Sequence, residues 1–155
     1  MHYFFYSTPH GPVTIAASGE GIVAVVFGRH RLAGTCKPTE LTNKAATQIQ
    51  EYFAGKRFSF DVPVHPAGTD FQKAVWERVG KIPYGSTNTA ADIARAIGHA
   101  GAHRSVGAAL AANKIALLVP DHRVVTTSGK ALGQGQIAAI RSGLLAFEKR
   151  RLQSS

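Results

Sequence analysis

The chain has 155 residues, of which 18 are Lys or Arg and 9 are Asp or Glu, giving a formal net charge of +9 with neutral histidines. This length predicts one or two domains, and the content of 45% hydrophobic and 17% charged residues excludes an intrinsically disordered chain. The single cysteine, Cys36, excludes an intramolecular disulfide and a cysteine-based zinc or iron–sulfur site within one chain.

Short runs rich in β-forming residues open the chain. Residues 3–7, 13–17 and 22–27 are separated by two turns that contain Gly. Strands joined by such turns are typical of hairpins, so this region predicts an antiparallel meander. Residues 28–40 are then predicted to form a polar loop, since they contain Gly and Pro between charged side chains.

A weaker helical pattern follows at residues 42–53, where apolar residues lie on one side. Residues 58–64 predict a further strand, and the sequence His-Pro-Ala-Gly at 65–68 predicts the linker between two halves of the chain. We therefore expect a strand-rich N-terminal domain at residues 1–65 and a second domain at residues 69–155.

The second half changes to helical patterns. Thr69 or Asp70 can cap a helix whose apolar residues recur at helical spacing until Gly80. The sequence Ile-Pro-Tyr-Gly at residues 82–85 then predicts a rigid turn.

Two short helices joined by a Gly-containing turn are predicted next. Thr89, followed three residues later by Asp92, forms a capping-box pattern for a helix at residues 90–97, and a second helix follows at residues 102–112. This arrangement is typical of a helix-turn-helix, whose second helix is presented to duplex DNA.

The second of these helices consists almost entirely of small residues, with Arg104 near its start. A small-residue face lets a backbone approach a narrow minor groove, and a lone Arg there can project into a base stack.

Residues 1–69 hold six basic and four acidic residues, a net charge of +2, whereas twelve basic and five acidic residues from Asp70 onward give +7. This distribution favours a nucleic-acid partner. The alternatives are a tightly packed, Ala-rich core helix and basic residues that only keep the surface solvated.

Residues 115–119 form a continuously apolar run, which predicts a buried strand. This run ends at the polar cluster Asp121, His122 and Arg123, and we expect a functional site there. Residues 128–130 predict a turn, 132–136 a loop rich in Gly and Gln, and 138–152 a final amphipathic helix.

An ordered series of motifs resembles the O6-alkylguanine-DNA alkyltransferase family. The motifs are FQKAVW at residues 71–76, IPYG at 82–85, AHRSVG at 102–107, ANK at 112–114, VPDHRVV at 119–125 and LLAFE at 144–148. Residues 1–65 resemble the N-terminal domain of the same family. The resemblance covers nearly the whole chain and implies a mixed α/β (α+β) fold, with an antiparallel-sheet domain followed by a mainly helical domain that contains the helix-turn-helix.

Members of this family bind duplex DNA through the minor groove and flip an O6-alkylated guanine into a pocket, because the alkyl group is inaccessible in the base stack. The resemblance implies that Arg104 enters the stack. It implies further DNA contacts from Ala90, Ala102, Ser105, Ala108, Arg123 and Thr127. It also implies a base pocket lined by Val119, Pro120, Gln134 and Gly135. No metal or other cofactor is expected.

The family transfers the alkyl group irreversibly to the Cys of a Pro-Cys-His-Arg motif. The resemblance implies that His122 activates the nucleophile, that Glu148 orients this His and that Asn113 orders the turn, but Asp121 occupies the nucleophile position. A carboxylate is a far poorer nucleophile toward saturated carbon than a thiolate, and any ester that it forms is hydrolysable. Stoichiometric cysteine alkylation is therefore excluded at this position.

Three hypotheses follow. The first is an alkyltransferase-like protein that recognises damaged or alkylated guanine in double-stranded DNA without cysteine alkylation and recruits other repair proteins. The second is a repurposed enzyme in which Asp121 and His122 act on a small molecule or an alkylated substrate. The third is a Cys-to-Asp variant of an O6-alkylguanine-DNA methyltransferase. The alternative to a catalytic role is that His122 and Glu148 are only structural hydrogen-bonding groups.

Two further differences from the family concern the same pocket. Ala90 stands where the family has a Tyr, and residues 132–137 lack the Tyr and the Gly pair of the family's pocket loop. A change of ligand is therefore expected.

The sequence also lacks a signal-peptide pattern and an apolar run of roughly 18 residues. We therefore expect a cytoplasmic monomer that associates with the nucleoid when bound to DNA and does not contact membranes.

Overall fold

A computed structural model describes residues 1–154, which divide into two units. Unit 1 comprises Met1–Ala67 and Lys114–Leu118, whereas unit 2 comprises Gly68–Asn113 and the residues from Val119 onward. The fold is mixed α/β as predicted, with the four-stranded sheet in unit 1 and most of the helices in unit 2. None of the described helices is both long and apolar enough to cross a membrane.

The sheet of unit 1 contains the predicted meander and one additional strand. Its strands are β1 (His2–Thr8), β2 (Gly11–Ala17), β3 (Ile22–Phe27) and β4 (Thr35–Cys36). Their order is β3-β2-β1-β4, and β2 pairs antiparallel with both of its neighbours. The short β4 lies in the predicted polar loop and pairs parallel with β1, so that this loop is partly ordered by the sheet edge.

One helix covers this sheet. Helix α1 (Glu40–Phe53) begins two residues before the predicted start, because Thr39 and Thr42 form a capping box. It buries Ile49 and Tyr52 completely and packs against β1, β2 and β3. The apolar side of α1 and the inner face of the sheet thereby form the core of unit 1.

The prediction of a strand at residues 58–64 is wrong. Only one isolated bridge forms there, between Val64 and Ile22. The backbone N–H of Asp61 donates to the side-chain oxygen of Gln48 at 3.1 Å. A side chain of α1 therefore satisfies a backbone group that a continuous strand would use in its ladder.

The prediction of a strand at residues 115–119 is also wrong, although the prediction of burial is right. Ile115 forms a single bridge with Val25, and the chain then turns at Leu117, whose φ is 69°. Ile115 and Leu117 are 1% and 2% exposed. The side chains of an apolar run of this length can be buried whether the backbone forms a turn or a strand, and hydrophobicity alone does not distinguish the two.

Unit 2 contains the predicted helix-turn-helix. Its elements are α2 (Asp70–Val79), β5 (Asn88–Thr89), α3 (Ala90–Ala96), α4 (His103–Ala111), a 3₁₀ turn (Asp121–Arg123), β6 (Val124–Val125) and α5 (Gly135–Ser154). Helices α2, α3 and α4 pack on one another, and the indole N–H of Trp76 donates to the Ala109 carbonyl at 2.8 Å. Helix α5 begins at Gly135, so the end of the predicted loop at residues 132–136 is helical.

The predicted capping box begins α3. Thr89 Oγ1 accepts a hydrogen bond from the Asp92 N–H at 3.2 Å, and Asp92 Oδ2 accepts one from the Thr89 N–H at 2.8 Å. Thr89 also pairs with Val125 in the two-stranded parallel sheet of β5 and β6. The hydrogen bonds from Thr89 hold the pKa of Asp92 below its ordinary value. The start of the helix-turn-helix is thus fixed by one cap and one strand pair.

Thr89→Ala is expected to lower the free energy of unfolding by about 1 kcal/mol, because α3 loses its N-cap acceptor. Urea unfolding followed by circular dichroism measures this loss, and Thr87→Ala, an exposed change two residues earlier, should stay within about 0.5 kcal/mol of the parent.

Because the pKa of Asp92 is lowered in the folded state, the contribution of Asp92 to the free energy of unfolding is complete at neutral pH and is lost as the pH falls through the folded-state pKa. A stability deficit of Asp92→Asn that persists undiminished in acid would contradict this.

Candidate functional site

A 3₁₀ turn places the predicted polar cluster in the interior of unit 2. Asp121, His122 and Arg123 are 9%, 0% and 6% exposed. The Asp121 N–H donates to the Val119 carbonyl at 2.8 Å, and the Arg123 N–H donates to the Pro120 carbonyl at 3.0 Å. This tight turn directs three consecutive polar side chains into a buried region, where each needs a hydrogen-bonding partner.

Glu148 of α5 is the partner of two of these side chains. Its Oε2 accepts from His122 Nε2 at 2.6 Å and from Arg123 Nη2 at 3.0 Å. Its Oε1 accepts from Arg123 Nε at 2.9 Å and from the Gly85 N–H at 3.0 Å. The remaining nitrogen of the guanidinium, Nη1, donates to the Ile82 carbonyl at 2.8 Å. The fully buried carboxylate is therefore held by a two-pronged Arg contact and two further donors.

The predicted rigid turn at residues 82–85 completes these surroundings. Gly85 has a φ of 78°, a conformation that other residues adopt at a cost, and this conformation lets its N–H reach the carboxylate. Arg123 lies over the ring of Tyr84, 5.6 Å from its centroid. Burial, and then the charge of Glu148, raise the pKa of Tyr84. Tyr84 therefore stays protonated over the whole physiological range.

Asp121 has a separate pair of partners. Its Oδ2 accepts from Asn113 Nδ2 and from Arg141 Nη2, both at 3.1 Å. Asn113 Nδ2 also donates to the Val119 carbonyl at 3.1 Å, and Arg141 Nη1 donates to the Leu132 carbonyl at 3.1 Å. Asn113 follows the C-terminal end of α4, so the helix-turn-helix is linked directly to the carboxylate. The structure therefore brings all four predicted catalytic positions, 113, 121, 122 and 148, into one site.

Arg141 was not among the predicted site residues. Its side chain and that of Asp121 are each 11% exposed, so this ion pair is largely shielded from solvent. A signal for it was present in the sequence. Arg141 precedes Glu148 by seven residues, which is about two helical turns, so both lie on the face of α5 that turns toward the 3₁₀ turn.

The predicted DNA-binding face of α4 is exposed. Arg104, Ser105 and Ala108 are exposed and Ala102, just before the helix, is partly exposed. The opposite face, with Val106, Ala109 and Leu110, is buried. Helix α4 thus has one packed face and one accessible face, which carries Arg104 and His103 beside small residues. The alternative of a tightly packed, Ala-rich core helix therefore describes only the buried face of α4.

The remaining predicted DNA contacts differ in their positions and accessibility. Ala90 is the first residue of α3, and Thr127 is an exposed residue in the turn after β6. Pairing of β5 with β6 brings these two segments together. Arg123 does not fit its predicted role, because its guanidinium is buried and bound to Glu148 and the Ile82 carbonyl. The guanidinium of Arg123 is therefore not accessible to DNA in this structure.

The predicted base pocket is brought together only in part. Val119 and Pro120 are buried beside the 3₁₀ turn, whereas Gln134 and Gly135 are exposed at the start of α5.

A cavity of about 560 Å³ lies elsewhere in unit 2, lined by Gly129, Lys130, Ala131, Ala138, Ala139, Ser142, Leu145, Ala146 and Lys149. Residues 1–154 contain no group of three or more His, Cys, Asp or Glu side chains able to hold a metal ion.

Two protein-family models match the chain. The model described as "6-O-methylguanine DNA methyltransferase, DNA binding domain" matches residues 70–150. The model described as "6-O-methylguanine DNA methyltransferase, ribonuclease-like domain" matches residues 1–66. Together they span almost the entire sequence.

Individual proteins are similar over the same length. The methylated-DNA–protein-cysteine methyltransferase of Methanosarcina acetivorans is 39% identical over 153 residues, which cover 96% of this chain and 98% of the relative. The protein of the same name from Mycobacterium tuberculosis is 38% identical over 159 residues, 97% of this chain and 94% of the relative. A crystal structure of M. tuberculosis OGT in complex with DNA matches with a TM-score of 0.88 and 39% identity, covering 97% of this chain and 94% of that chain.

Proposed function

Because this chain belongs to the 6-O-methylguanine DNA methyltransferase family, we propose that it recognises damaged or alkylated guanine in duplex DNA without transferring the alkyl group to a cysteine. It binds in the minor groove through α4 and flips the base out of the stack. On the same proposal it acts as a cytoplasmic monomer, and other repair proteins bind to its complex with DNA.

The observation that carries this proposal is the chemistry of residue 121. In the sequence Pro120–Arg123 a carboxylate stands where the family motif has its Cys, and two donors hold that carboxylate in the interior of unit 2. The chain's single cysteine, Cys36, is an exposed residue of β4 in unit 1. The relatives are named for transfer to a protein cysteine, and this chain lacks that residue in the motif.

DNA binding is supported by the accessible face of α4 and by charge. Arg104 is exposed on a helix whose other exposed residues include the small Ser105 and Ala108 as well as His103, so that the small residues let the helix approach a groove closely. The crystal structure of the M. tuberculosis relative is a complex with DNA. A net charge of +9 favours binding to the phosphate backbone as well.

Arg104→Ala is expected to weaken binding to a duplex that contains O6-methylguanine at least about fivefold, because an Arg contact to DNA contributes about 1–3 kcal/mol. Fluorescence anisotropy over a salt series measures this, and a 2-aminopurine base beside the lesion reports base flipping. Arg31→Ala, which removes an exposed charge from unit 1, is the matched control and should bind nearly as well as the parent.

The same complexes test the absence of cysteine transfer. After incubation with the methylated duplex, mass spectrometry should show an unmodified Cys36. A methylated Cys36, or equal loss of binding in Arg104→Ala and Arg31→Ala, would contradict the proposed function.

A further inference from the structure

We propose that Asp121 accepts the alkyl group of an O6-alkylguanine as a carboxylate ester and that water, activated by His122, hydrolyses this ester, so that the site dealkylates its substrate with turnover. The inference rests on the proposed function for the arrival of an alkylated guanine at the site. It assigns to the carboxylate a chemical role that recognition alone does not require.

The two oxygens of the Asp121 carboxylate have different surroundings. Oδ2 accepts hydrogen bonds from Asn113 and Arg141, each at 3.1 Å. No residue in the described part of the chain donates to Oδ1. The two donors fix the rotation of the carboxylate and leave the lone pairs of Oδ1 available. Oδ1 is therefore the oxygen that attacks the alkyl carbon.

The donors on Oδ2 gain a second role once the ester exists. Alkylation of Oδ1 makes Oδ2 the carbonyl oxygen of the ester. When water attacks the ester carbon, negative charge develops on Oδ2, where Asn113 Nδ2 and Arg141 Nη2 are already positioned at 3.1 Å. Preorganised donors at the oxygen that becomes an oxyanion are the usual means of stabilising such a transition state. The contacts around Asp121 therefore suit both steps.

His122 has the properties of the required base. Its Nε2 is held by Glu148 at 2.6 Å, whereas its buried Nδ1 has no hydrogen-bonding partner among residues 1–154. A His with only a structural role would be expected to use both nitrogens, since a buried polar atom without a partner is destabilising. We therefore assign the roles of nucleophile, base and orienting group of a hydrolytic triad to Asp121, His122 and Glu148, because His122 follows Asp121 in the chain and is held by Glu148 through its other ring nitrogen.

The chemistry balances with water as the only added reactant. In the first step a bond forms between Oδ1 and the alkyl carbon, the bond from that carbon to guanine O6 breaks, and the guanine takes a proton from solvent at N1. In the second step water gives a proton to His122 Nδ1 and attacks the carboxyl carbon. The bond from that carbon to Oδ1 then breaks, and the departing alcohol takes the proton from His122. A cysteine thioether has no such second step, whereas an ester does.

Heavy-oxygen labelling of the unaltered protein tests this mechanism directly. The protein is incubated in heavy-oxygen water with a duplex that contains O6-methylguanine, in excess over protein, and with the nucleoside O6-methyldeoxyguanosine in parallel. We expect more than one methanol per protein and one heavy oxygen in the peptide that contains Asp121. Direct attack of water on the methyl group would instead release methanol while this peptide stays unlabelled, and would overturn the proposal.

Two variants separate the steps. Asp121→Asn should abolish methanol release, because an amide does not form the ester. His122→Gln should stop after the first step and retain one methyl group per protein on Asp121. Glu77→Gln, an exposed carboxylate change in α2, is the control and should release methanol like the parent.

The outcomes distinguish this proposal from the proposed function. A duplex that is bound without methanol release or labelling overturns the ester mechanism and leaves recognition intact. Labelling with the nucleoside but no duplex binding supports the ester mechanism and contradicts the proposed function. Absence of labelling with both substrates overturns the ester mechanism whether or not His122→Gln folds.

Discussion

Glu148→Gln is expected to lower the free energy of unfolding by about 3–5 kcal/mol, because it leaves the buried Arg123 without a counter-charge. The carboxylate is fully buried and accepts two hydrogen bonds from Arg123, at 2.9 and 3.0 Å. Total stabilities of single domains are about 5–15 kcal/mol. The change should therefore produce a large shift in the urea midpoint measured by circular dichroism.

Two comparisons make this result interpretable. Glu77→Gln makes the same chemical change at an exposed position of unit 2 and should shift stability by no more than about 0.5 kcal/mol. Arg123→Met, added to Glu148→Gln, removes the unpaired charge and should recover part of the loss. A loss below about 1 kcal/mol in Glu148→Gln would show that Arg123 finds another partner, contrary to this expectation.

Asp121→Cys, made together with Cys36→Ala, is expected to gain stoichiometric alkyl transfer. The groups that would activate a thiolate at this position are already assembled, because His122 is held by Glu148 at 2.6 Å and follows residue 121 directly. A thiolate beside an oriented His is an activated nucleophile. Incubation with a duplex that carries radiolabelled O6-methylguanine should leave one methyl group per protein, located by mass spectrometry.

The Cys36→Ala change makes residue 121 the only position that can carry a labelled thioether. Asp121→Ser in the same background is the matched control and should take up no label, since a neutral hydroxyl is a weak nucleophile. If the double variant folds and binds DNA but remains unlabelled, the third hypothesis fails. The differences at Ala90 and in residues 132–137 would then be sufficient to prevent transfer.

Local chemistry made most elements of this fold predictable. The strands β1 to β3 follow from alternating β-forming runs and short Gly-containing turns, and α3 follows from the pattern of Thr89 and Asp92 that the structure shows as a capping box. These signals involve residues within a few positions of one another. They do not depend on how the rest of the chain packs.

The two wrong strand predictions have the opposite origin. Residues 58–64 and 115–119 have the composition of strands, but whether a β-ladder forms depends on which distant groups meet the backbone. In the first case Gln48 of α1 binds the Asp61 N–H. In the second, only Ile115 finds a strand partner, Val25 of β3, before the chain turns at Leu117. Neither contact can be predicted from the residues of the segment alone, because the partner is distant in the sequence.

The candidate site shows the same division. Motif order indicated Asn113, Asp121, His122 and Glu148, and the structure places them together. The seven-residue spacing of Arg141 and Glu148 indicated a shared face of α5, but not that the Arg141 side chain reaches the Asp121 carboxylate. An Arg on an amphipathic helix is usually solvated, and only the tertiary fold shows that this one reaches a buried acid.

The segment Lys114–Leu118 ties the folding of the first sheet to residues synthesised much later. The Val25 N–H donates to the Lys114 carbonyl at 2.8 Å, and the Ala116 N–H donates to the Val25 carbonyl at 3.1 Å, so this segment covers part of the edge of β3. During translation, Met1–Ala67 emerge first and leave the part of that edge at Val25 open to pairing with other chains. The strand-rich half is therefore not a transferable module, because its sheet is finished by residues inserted within the sequence of the other unit.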